Sequence, residues 1–401
     1  MNFAQKPEDR VLDGGGQTGL LSVHAAGNRE AEGRGGQHTI SGRKDEVRNM
    51  KGLAFLAIGK VGVLDKPIPE PGPNDAVIKT TASLICTSDV HNVRGVIEFA
   101  EGRFLGHESV GVVHKVGANV TRCKPGERVA VCAITPCGRC DACQRGFTSQ
   151  CNGMLGGYQF GPVRDGNLAE YFLVNDADFN VVPIPAKLTD EQALYTTDML
   201  STGFAGAENA AIPVGGTVAI FAQGPVGLSA TIAARTLGAG LIIAVESKPD
   251  RQALAKRFGA DLVIDPTRGD TIEQIMKATG GIGVDSAIEA IGMPVTFENC
   301  IKATKPGGVI SNVGFHGEAG NMLQIPLPEF GLGMGDKTIR TALCPGGRER
   351  LSRLLRLLEH GRVDPTPMTT HRFPFSQVER AFHMMETKED NIIKPLISFS
   401  V

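Results

Sequence analysis

The spacing of apolar and polar positions changes along the chain. From residue 50 to about 202, short runs rich in β-branched residues are broken by Gly and Pro, as in 76–80 and 110–116. This pattern is typical of short β-strands joined by turns. From about 203 to 343, apolar runs of strand length alternate with segments of helical periodicity.

The middle segment predicts an open parallel sheet. Strands and helices alternate there, at 217–222, 226–237, 241–246, 251–258 and 261–264. Such alternation places helices on both faces of a parallel sheet. The remaining part, with a helix near 348–358 and a strand near 394–399, is expected to return to the first domain. We therefore predict an α/β protein with a β-rich domain at 50–202 and 344–401 and a doubly wound domain at 203–343.

Residues 1–49 differ from the rest of the chain. They are rich in Gly and in charged residues and poor in aromatics, and they hold no apolar run of signal-peptide length. Such a segment buries too little apolar surface to offset the entropy lost on ordering. We predict that 1–49 is disordered, with an upstream start codon or an added extension as its origin and a functional tail as the alternative.

Composition excludes several classes of partner. The chain has 401 residues, enough for two domains, and a formal net charge of −2. This charge gives no reason to expect nucleic acid or an anionic membrane, and no apolar run is long enough to span a bilayer. Nine cysteines, four of them in one short segment, suit metal-bound thiolates in a reducing compartment. We expect a cytoplasmic protein that acts on a small molecule.

A cysteine and a histidine begin the candidate active site. Cys86 opens the run Cys-Thr-Ser-Asp-Val-His, and His107 follows in Gly-His-Glu. A thiolate and an imidazole are two of the three protein ligands of a catalytic zinc. Asp89 can accept a hydrogen bond from the other nitrogen of His107, and Ser88 and His91 can pass a proton towards solvent. Zinc would lower the pKa of a bound alcohol or polarise a ketone.

Glu108 can act beside the metal, either as a neighbouring carboxylate or as a transient ligand. The alternative is a buried cysteine and a core histidine that never meet, which is the better interpretation of either residue alone. The spacing from Gly106 onward, G-H-E-x2-G-x5-G-x2-V, argues against it. This spacing resembles the zinc signature of the medium-chain dehydrogenase/reductase family.

Four further cysteines predict a second metal site. Cys137, Cys140, Cys143 and Cys151 have the spacing C-x2-C-x2-C-x7-C. Four thiolates close a tetrahedral zinc site without an open position, which is structural rather than catalytic. The polar loop between them has little else to hold it, so metal binding would supply its folding energy. Disulfides or a redox site are the alternative.

A glycine-containing turn follows the strand at 217–222. It reads A-x-G-x-x-G, with Ala222 where the dinucleotide fingerprint has its first glycine. Gly224 lets the backbone approach a pyrophosphate, and Gly227 permits close packing of helix on strand. The helix that starts at Pro225 and Val226 would direct free N–H groups at the phosphates.

Glu246 lies at the end of the next strand, 19 residues past Gly227. A carboxylate there can bind both ribose hydroxyls and would repel the 2′-phosphate of NADP. Lys248 keeps a positive charge nearby. We predict NAD(H) as cofactor, with NADP(H) as the less favoured alternative.

Within the family, the chain most resembles the tetrameric secondary-alcohol dehydrogenases. The segments that carry this resemblance are 86–91, 175–178, 202–208, 343–347 and 393–395. The resemblance runs from Met50 onward and implies a GroES-like catalytic domain, a Rossmann NAD-binding domain and a homotetramer. It also implies that Asp198 is the third ligand of the catalytic zinc, where other alcohol dehydrogenases have a cysteine.

The same resemblance implies further contacts. Thr87, Asn312, Val313 and Lys394 would lie against the cofactor. Tyr158, Phe315 and Leu343 would surround the substrate, with Tyr158 where relatives have tryptophan. The NADP-dependent members have a small residue followed by Ser-Arg where this chain has Glu246-Ser247-Lys248, a departure that favours NAD(H).

The leading hypothesis is a zinc-dependent, NAD(H)-using dehydrogenase of small to medium secondary alcohols or ketones. The near alternative is a primary-alcohol or aldehyde enzyme, formaldehyde included, against which Ser88 and Asp198 count. A zinc hydrolase would leave the dinucleotide-binding half without a purpose. A non-catalytic family member would be expected to lack a zinc ligand, whereas all three candidates are present.

Overall fold

The computed structural model describes residues 48–400. The predicted disorder of residues 1–49 therefore falls on residues that the structure does not describe, apart from residues 48 and 49. Asn49 already belongs to a strand. No helix among the described residues is long and apolar enough to cross a membrane.

Strands and helices alternate throughout this range. The strands are β1 (Asn49–Ala57), β2 (Lys60–Pro67), β3 (Ala76–Leu84), β4 (Glu108–Val116), β5 (Arg128–Val131), β6 (Tyr171–Val174), β7 (Val181–Pro183), β8 (Thr217–Phe221), β9 (Leu241–Val245), β10 (Leu262–Ile264), β11 (Val284–Glu289), β12 (Thr304–Asn312), β13 (Thr338–Thr341), β14 (Thr369–Pro374) and β15 (Lys394–Ser398). The helices are α1 (Thr87–Val93), α2 (Asp141–Gln144), α3 (Ala177–Asn180), α4 (Asp190–Leu194), α5 (Met199–Asn209), α6 (Pro225–Thr236), α7 (Pro249–Phe258), α8 (Thr271–Ala278), α9 (Pro294–Ala303), α10 (Arg348–Glu359) and α11 (Val378–Thr387). The elements predicted between 217 and 264 are all present, with ends shifted by one or two residues.

One large sheet is mostly antiparallel, and we call the part built on it the β-rich half. Its order is β14-β15-β3-β4-β5-β7, with β6 pairing β3 and only β14 and β15 running parallel. Gly111 on β4 lies so close to the carbonyl of Lys79 on β3 that a Cβ at this position would clash with it. The glycine of the sequence signature thus permits the close pairing of these two strands.

The other large sheet is parallel, and we call the part built on it the Rossmann half. Its strand order is β10-β9-β8-β11-β12-β13. This is the 3-2-1-4-5-6 strand order of dinucleotide-binding sheets. All six strands are parallel, and successive strands are added on one side of β8 up to β10 and on its other side from β11 onward. On β8, Val218 and Ile220 pack with α5 and α6, whereas Ala219 and Phe221 pack with α8 and α9. Helices cover both faces, which confirms the predicted fold class.

Helix α5 joins the two halves. Residues of β3 and β4 belong to the same apolar cluster as residues of β8 and α6, and α5 lies within this cluster. Gly203 on α5 faces Ser229 on α6 so closely that a Cβ at Gly203 would clash. This close contact with α6 fixes the position of α5 between the two halves. The residue ranges of the two domains stay predictions.

Candidate active site

The strand register brings the candidate zinc ligands together. Leu84, the last residue of β3, pairs with Glu108, the first residue of β4. Cys86 and His107 therefore lie at the same end of the β3–β4 pair, and Asp198 reaches them from the N-cap of α5. One side-chain atom from each of Cys86, His107, Glu108 and Asp198 lies within 4.8 Å of the others, and all four residues are buried.

The geometry of this group fits a tetrahedral metal. Nε2 of His107 is 3.4 Å from Oδ2 of Asp198, and ligands about 2.0–2.3 Å from zinc lie roughly 3.3–3.8 Å apart. Burial lowers the pKa of His107, but Tyr158, Asp89 and Asp198 together raise it well above its ordinary value. A thiol, an imidazole and two carboxyl groups, all buried and within reach of one point, suit a cation such as zinc, whose charge would offset those of the acidic groups.

Asp89 lies beside His107 as predicted. Its Oδ1 is 3.4 Å from Nδ1 of His107, without hydrogen-bond geometry. The same carboxylate accepts the backbone N–H groups of Cys86 at 2.9 Å and of Gly106 at 3.0 Å. Asp89 thus ties together the two backbone segments that carry the thiolate and the imidazole. Its role in orienting the ring stays a prediction.

Glu108 is held by a buried cation that sequence analysis had placed elsewhere. The Lys394 ammonium forms an ion pair with Oε1 of Glu108, and both side chains are fully buried. Burial lowers the pKa of Lys394, but Cys86 and Glu108 raise it above its ordinary value, so it stays charged. The other oxygen of Glu108 has no hydrogen-bond partner. Lys394 therefore contacts Glu108 directly, and its predicted contact with the cofactor remains a prediction.

A cleft of about 370 Å³ joins the metal-ligand group to the turn after β8. Most of the predicted site residues line it, namely Cys86, Thr87, Ser88, His91, His107, Tyr158, Asp198, Gly224, Pro225, Val226, Val313, Phe315, Leu343 and Lys394. Asp89, Glu108, Gly227, Glu246, Lys248 and Asn312 are not part of its lining. The cleft thus brings the candidate metal, proton-transfer, cofactor and substrate residues to one place.

The turn after β8 has the backbone of a dinucleotide-binding turn. Ala222 adopts a φ of +72°, a conformation that favours glycine, which explains the glycine of the usual fingerprint. Gly224 is the N-cap of α6, and Pro225 is its first residue. A Cβ at Gly227 would clash with the carbonyl oxygen of Ala222. The N-terminus of α6 therefore presents unpaired N–H groups to the cleft.

Glu246 is pinned by backbone donors beside this turn. Its carboxylate accepts the N–H groups of Gln223 at 2.9 Å, Ser247 at 2.8 Å and Lys248 at 2.9 Å, and it is only 6% exposed. Arg251 lies next to it, with Nη1 3.9 Å from Oε2 of Glu246.

Asn312 donates to the carbonyl of Gly314 at 3.1 Å, which shapes the loop after β12.

Two cationic residues of the cleft were missed by sequence analysis. Arg251 lies on the first turn of α7, only a few residues after Glu246 along the chain. It could therefore have been found from the sequence as a cation close to Glu246. Lys388 caps α11 in a left-handed conformation and approaches the hydroxyl of Thr87 to 3.3 Å. The residue is exposed, but burial of its ammonium end and then the charge of Arg251 lower its pKa to about 8. No local pattern identifies Lys388, because the fold alone brings it to the cleft.

The predicted proton-transfer and substrate residues lie side by side. Ser88 Oγ is 3.6 Å from Sγ of Cys86. The Tyr158 hydroxyl accepts a hydrogen bond from Asn92 at 3.1 Å, and its ring lies edge-on to His107 at 5.5 Å. Burial raises the pKa of Tyr158 to about 12, so the phenol stays protonated. The Phe315 ring lies 5.3 Å from that of His91.

The four clustered cysteines also meet in space. One Sγ from each of Cys137, Cys140, Cys143 and Cys151 lies within 4.8 Å of the others, and Cys140 and Cys151 are 3.9 Å apart. All nine cysteines are free, so the disulfide alternative finds no pair. Backbone N–H groups of Cys143 and Asn152 lower the pKa of Cys140 to about 6. Burial raises the pKa of Cys143 and of Cys151, so the fit to a closed zinc site rests on the number and spacing of the four sulfur atoms.

Comparisons with known proteins agree in both halves. The family model described as "Alcohol dehydrogenase GroES-like domain" matches residues 72–186, and the one described as "Zinc-binding dehydrogenase" matches residues 225–360. An alcohol dehydrogenase of Cupriavidus necator is 44% identical, over 86% of this chain and 97% of that protein. The NADP-dependent isopropanol dehydrogenase of Thermoanaerobacter brockii is 46% identical, over 87% of this chain and 99% of its own length.

The solved structures give the same picture. The alcohol dehydrogenase TADH from Thermus sp. ATN1 superimposes with a TM-score of 0.79 at 28% identity. The match covers 88% of this chain and 100% of that one. The resemblance drawn from the sequence motifs is therefore confirmed.

Proposed function

The chain belongs to the zinc-dependent alcohol dehydrogenases, and we propose that it transfers a hydride between NAD(H) and a small to medium secondary alcohol or ketone. The observation that carries the proposal is the single cleft in which the group around Cys86 and the turn at Gly224 face each other. Zinc and nicotinamide, when bound, would supply the acidification of the alcohol and the acceptor for its hydride. Cys86, His107 and Asp198 would hold the metal, with Glu108 as a neighbouring carboxylate.

Several features of the cleft support a secondary alcohol as substrate. Ser88 is small and leaves room beside the ligand group for a second carbon substituent. Leu343, Phe315 and the protonated Tyr158 form a largely apolar wall. The relative from T. brockii is named for isopropanol. A primary alcohol or an aldehyde remains the second candidate, because the same family chemistry serves both.

Glu246 supports NAD(H) as the cofactor. Its buried carboxylate is held by three backbone N–H groups, which fix its negative charge beside the turn after β8. The relatives named NADP-dependent point the other way. We give Glu246 more weight, because a fixed negative charge acts directly on the group that distinguishes the two cofactors. Arg251 and Lys388 would bind phosphate in either cofactor.

A homotetramer is what the family resemblance implies, and two surface features support association of the chain with further copies of itself. β13 is an edge strand of its sheet, and edge strands offer unpaired backbone groups. The loop that precedes it exposes large apolar side chains, among them Met322, Leu327, Leu332 and Met334. Exposed apolar patches of this kind mark association sites. Size-exclusion chromatography with multi-angle light scattering at micromolar concentration tests this proposal, and a monomer or a dimer would reject it.

The test of function is oxidation of 2-propanol and of ethanol, each with NAD and with NADP, by zinc-replete protein. Faster turnover of 2-propanol with NAD is the expected result. A preference for ethanol would move the proposal to primary alcohols, and a preference for NADP would reject the role given to Glu246. No turnover of alcohols or ketones with either cofactor would reject the proposed function.

A further inference from the structure

His91 and Glu318 meet across the cleft, one from each half of the molecule. His91 lies on α1, and Glu318 lies in the loop after β12. Nδ1 of His91 is 2.9 Å from Oε1 of Glu318. Val96, after α1, and Gly317 are also neighbours, since a Cβ at Gly317 would meet the Val96 side chain at 2.8 Å. The side chain of His91 is 20% exposed and that of Glu318 is 52% exposed, so the contact lies at the solvent edge of the cleft, where the two halves touch.

This hydrogen bond determines which ring nitrogen of His91 carries the proton. A neutral imidazole has one N–H donor and one acceptor nitrogen, and an ionised carboxylate only accepts. Nδ1 must then be the donor to Glu318, which leaves Nε2 as the acceptor. His91 also lines the cleft beside Ser88. The nitrogen that Glu318 leaves free is thus the one available to take a proton in the cleft.

His91 has charged neighbours of both signs. In residues 48–400, Glu318 is the one acid within 4.0 Å of a ring nitrogen of His91. The cleft that His91 lines also holds the cations Arg251, Lys388 and Lys394, and Arg94, which follows α1, is exposed. Glu318 is therefore the residue that would stabilise a positive charge on His91.

We propose that Glu318 is a positioning residue for proton transfer: it fixes His91 in the tautomer whose Nε2 accepts the proton released by the substrate. The proposal rests on the proposed function. Oxidation of one alcohol sends two electrons and one hydrogen to the nicotinamide as hydride, and one proton remains. That proton passes through hydroxyl groups of the cleft to Nε2 of His91, and the imidazolium then releases it to water. The Glu318 carboxylate accepts the hydrogen bond from Nδ1 in both states of His91 and stabilises the imidazolium.

The position of the pair adds a second consequence. Because α1 belongs to the β-rich half and Glu318 to the Rossmann half, the hydrogen bond exists only while the two halves lie together. The arrangement that fixes the tautomer of His91 therefore depends on contact between the two halves.

Four variants and a control test the proposal by kinetics. They are Glu318→Ala, Glu318→Gln, His91→Ala and the double variant Glu318→Ala/His91→Ala. Glu98→Ala is the control, because Glu98 is an exposed acid that lies close to His91 along the chain. Glu318→Ala should lower kcat of alcohol oxidation about tenfold or more and leave KM for the alcohol unchanged, as loss of a carboxylate partner of a functional histidine does. Glu318→Gln keeps an acceptor and should lose less.

The double variant decides whether Glu318 acts through His91. Once His91 is alanine, removing Glu318 should have no further effect on kcat or on its pH profile. An equal loss with and without His91 would overturn the proposal, as would a Glu318→Ala enzyme with wild-type kcat. Glu98→Ala should match the wild type. If Glu318→Ala fails to fold, as judged by its melting temperature, Glu318→Gln replaces it in the cycle.

A measurement without turnover separates this proposal from the proposed function. In holoenzyme labelled with ¹⁵N-histidine, the signals lost in His91→Ala identify His91. They should show a protonated Nδ1 and an unprotonated Nε2 in the wild type, and this preference should disappear in Glu318→Ala. A protonated Nε2 in the wild type overturns the proposal whatever the activity. A protein that oxidises no alcohol yet shows the expected tautomer would reject the proposed function and retain the pairing.

Discussion

Removing the charge of Glu246 should change the cofactor preference. Glu246→Gln keeps the shape of the side chain and an oxygen for the N–H groups of Gln223, Ser247 and Lys248. It removes the negative charge that a 2′-phosphate would meet, and it leaves the nearby Arg251 without its present counter-charge. We expect the ratio of kcat/KM for NAD to that for NADP to fall.

The magnitude follows from the burial of the carboxylate. Two unit charges about 4 Å apart interact by about 4 kcal/mol at the effective dielectric constant near a protein surface. Partial screening by Arg251 and by salt leaves about 2–4 kcal/mol. Since each 1.4 kcal/mol is a factor of ten, the ratio should fall roughly 30- to 700-fold.

Steady-state kinetics with 2-propanol and each cofactor measures this ratio. Asp250→Asn is the matched control, because it removes an exposed carboxylate four residues away and should leave the ratio unchanged. A Glu246→Gln enzyme whose ratio stays within about threefold of the wild type would refute the electrostatic argument, since 2 kcal/mol alone corresponds to roughly 30-fold.

Three further predictions concern metal, pH and the turn after β8. Cys140→Ser should lower the zinc content from two ions to one per chain, measured by elemental analysis, and lower the melting temperature; an unchanged content would contradict the closed four-thiolate site. Lys388 has a lowered pKa of about 8, so its charge is present below that pH and lost above it. The Kd for NADH should therefore rise between pH 7 and 9.5 in fluorescence titrations, and Lys388→Met should remove this dependence. Gly227→Ala should destabilise the protein by about 1–3 kcal/mol in denaturant unfolding, because its Cβ meets the carbonyl of Ala222. Ala222→Gly should change stability by less than about 1 kcal/mol, since relief of the positive φ offsets the added entropy of the unfolded chain.

Local signals sufficed for much of the fold and part of the site. The alternation of strands and helices predicted the parallel sheet, because short apolar strands there are separated by segments of helical periodicity. Cys86 and His107 were found from their residue types and from the signature around Gly111, which reflects the close strand pairing seen in the structure. Asp198 needed the family resemblance, because an aspartate before a helix is an ordinary N-cap.

The rest of the site depends on tertiary contacts. Lys394 was predicted at the cofactor, and nothing in its neighbourhood along the chain indicates a buried partner 286 residues away. Lys388 and Glu318 lie in segments without periodicity or motif, and only the packing of the two halves brings them to the cleft. Such residues cannot be selected from spacing, because their distance along the chain carries no information about the contact.

The ion pair between Glu108 and Lys394 has a consequence for biosynthesis. Glu108 needs a cation supplied by β15, and β15 lies between β14 and β3 in its sheet. A nascent chain on the ribosome thus cannot bury Glu108 with its counter-ion until β15 has been translated, whereas all six strands of the Rossmann half are translated earlier. We expect the Rossmann half to become protease-resistant first in translation-arrested chains, and the β-rich half only once β15 has left the ribosome, so that the metal site is among the last parts of this fold to be completed.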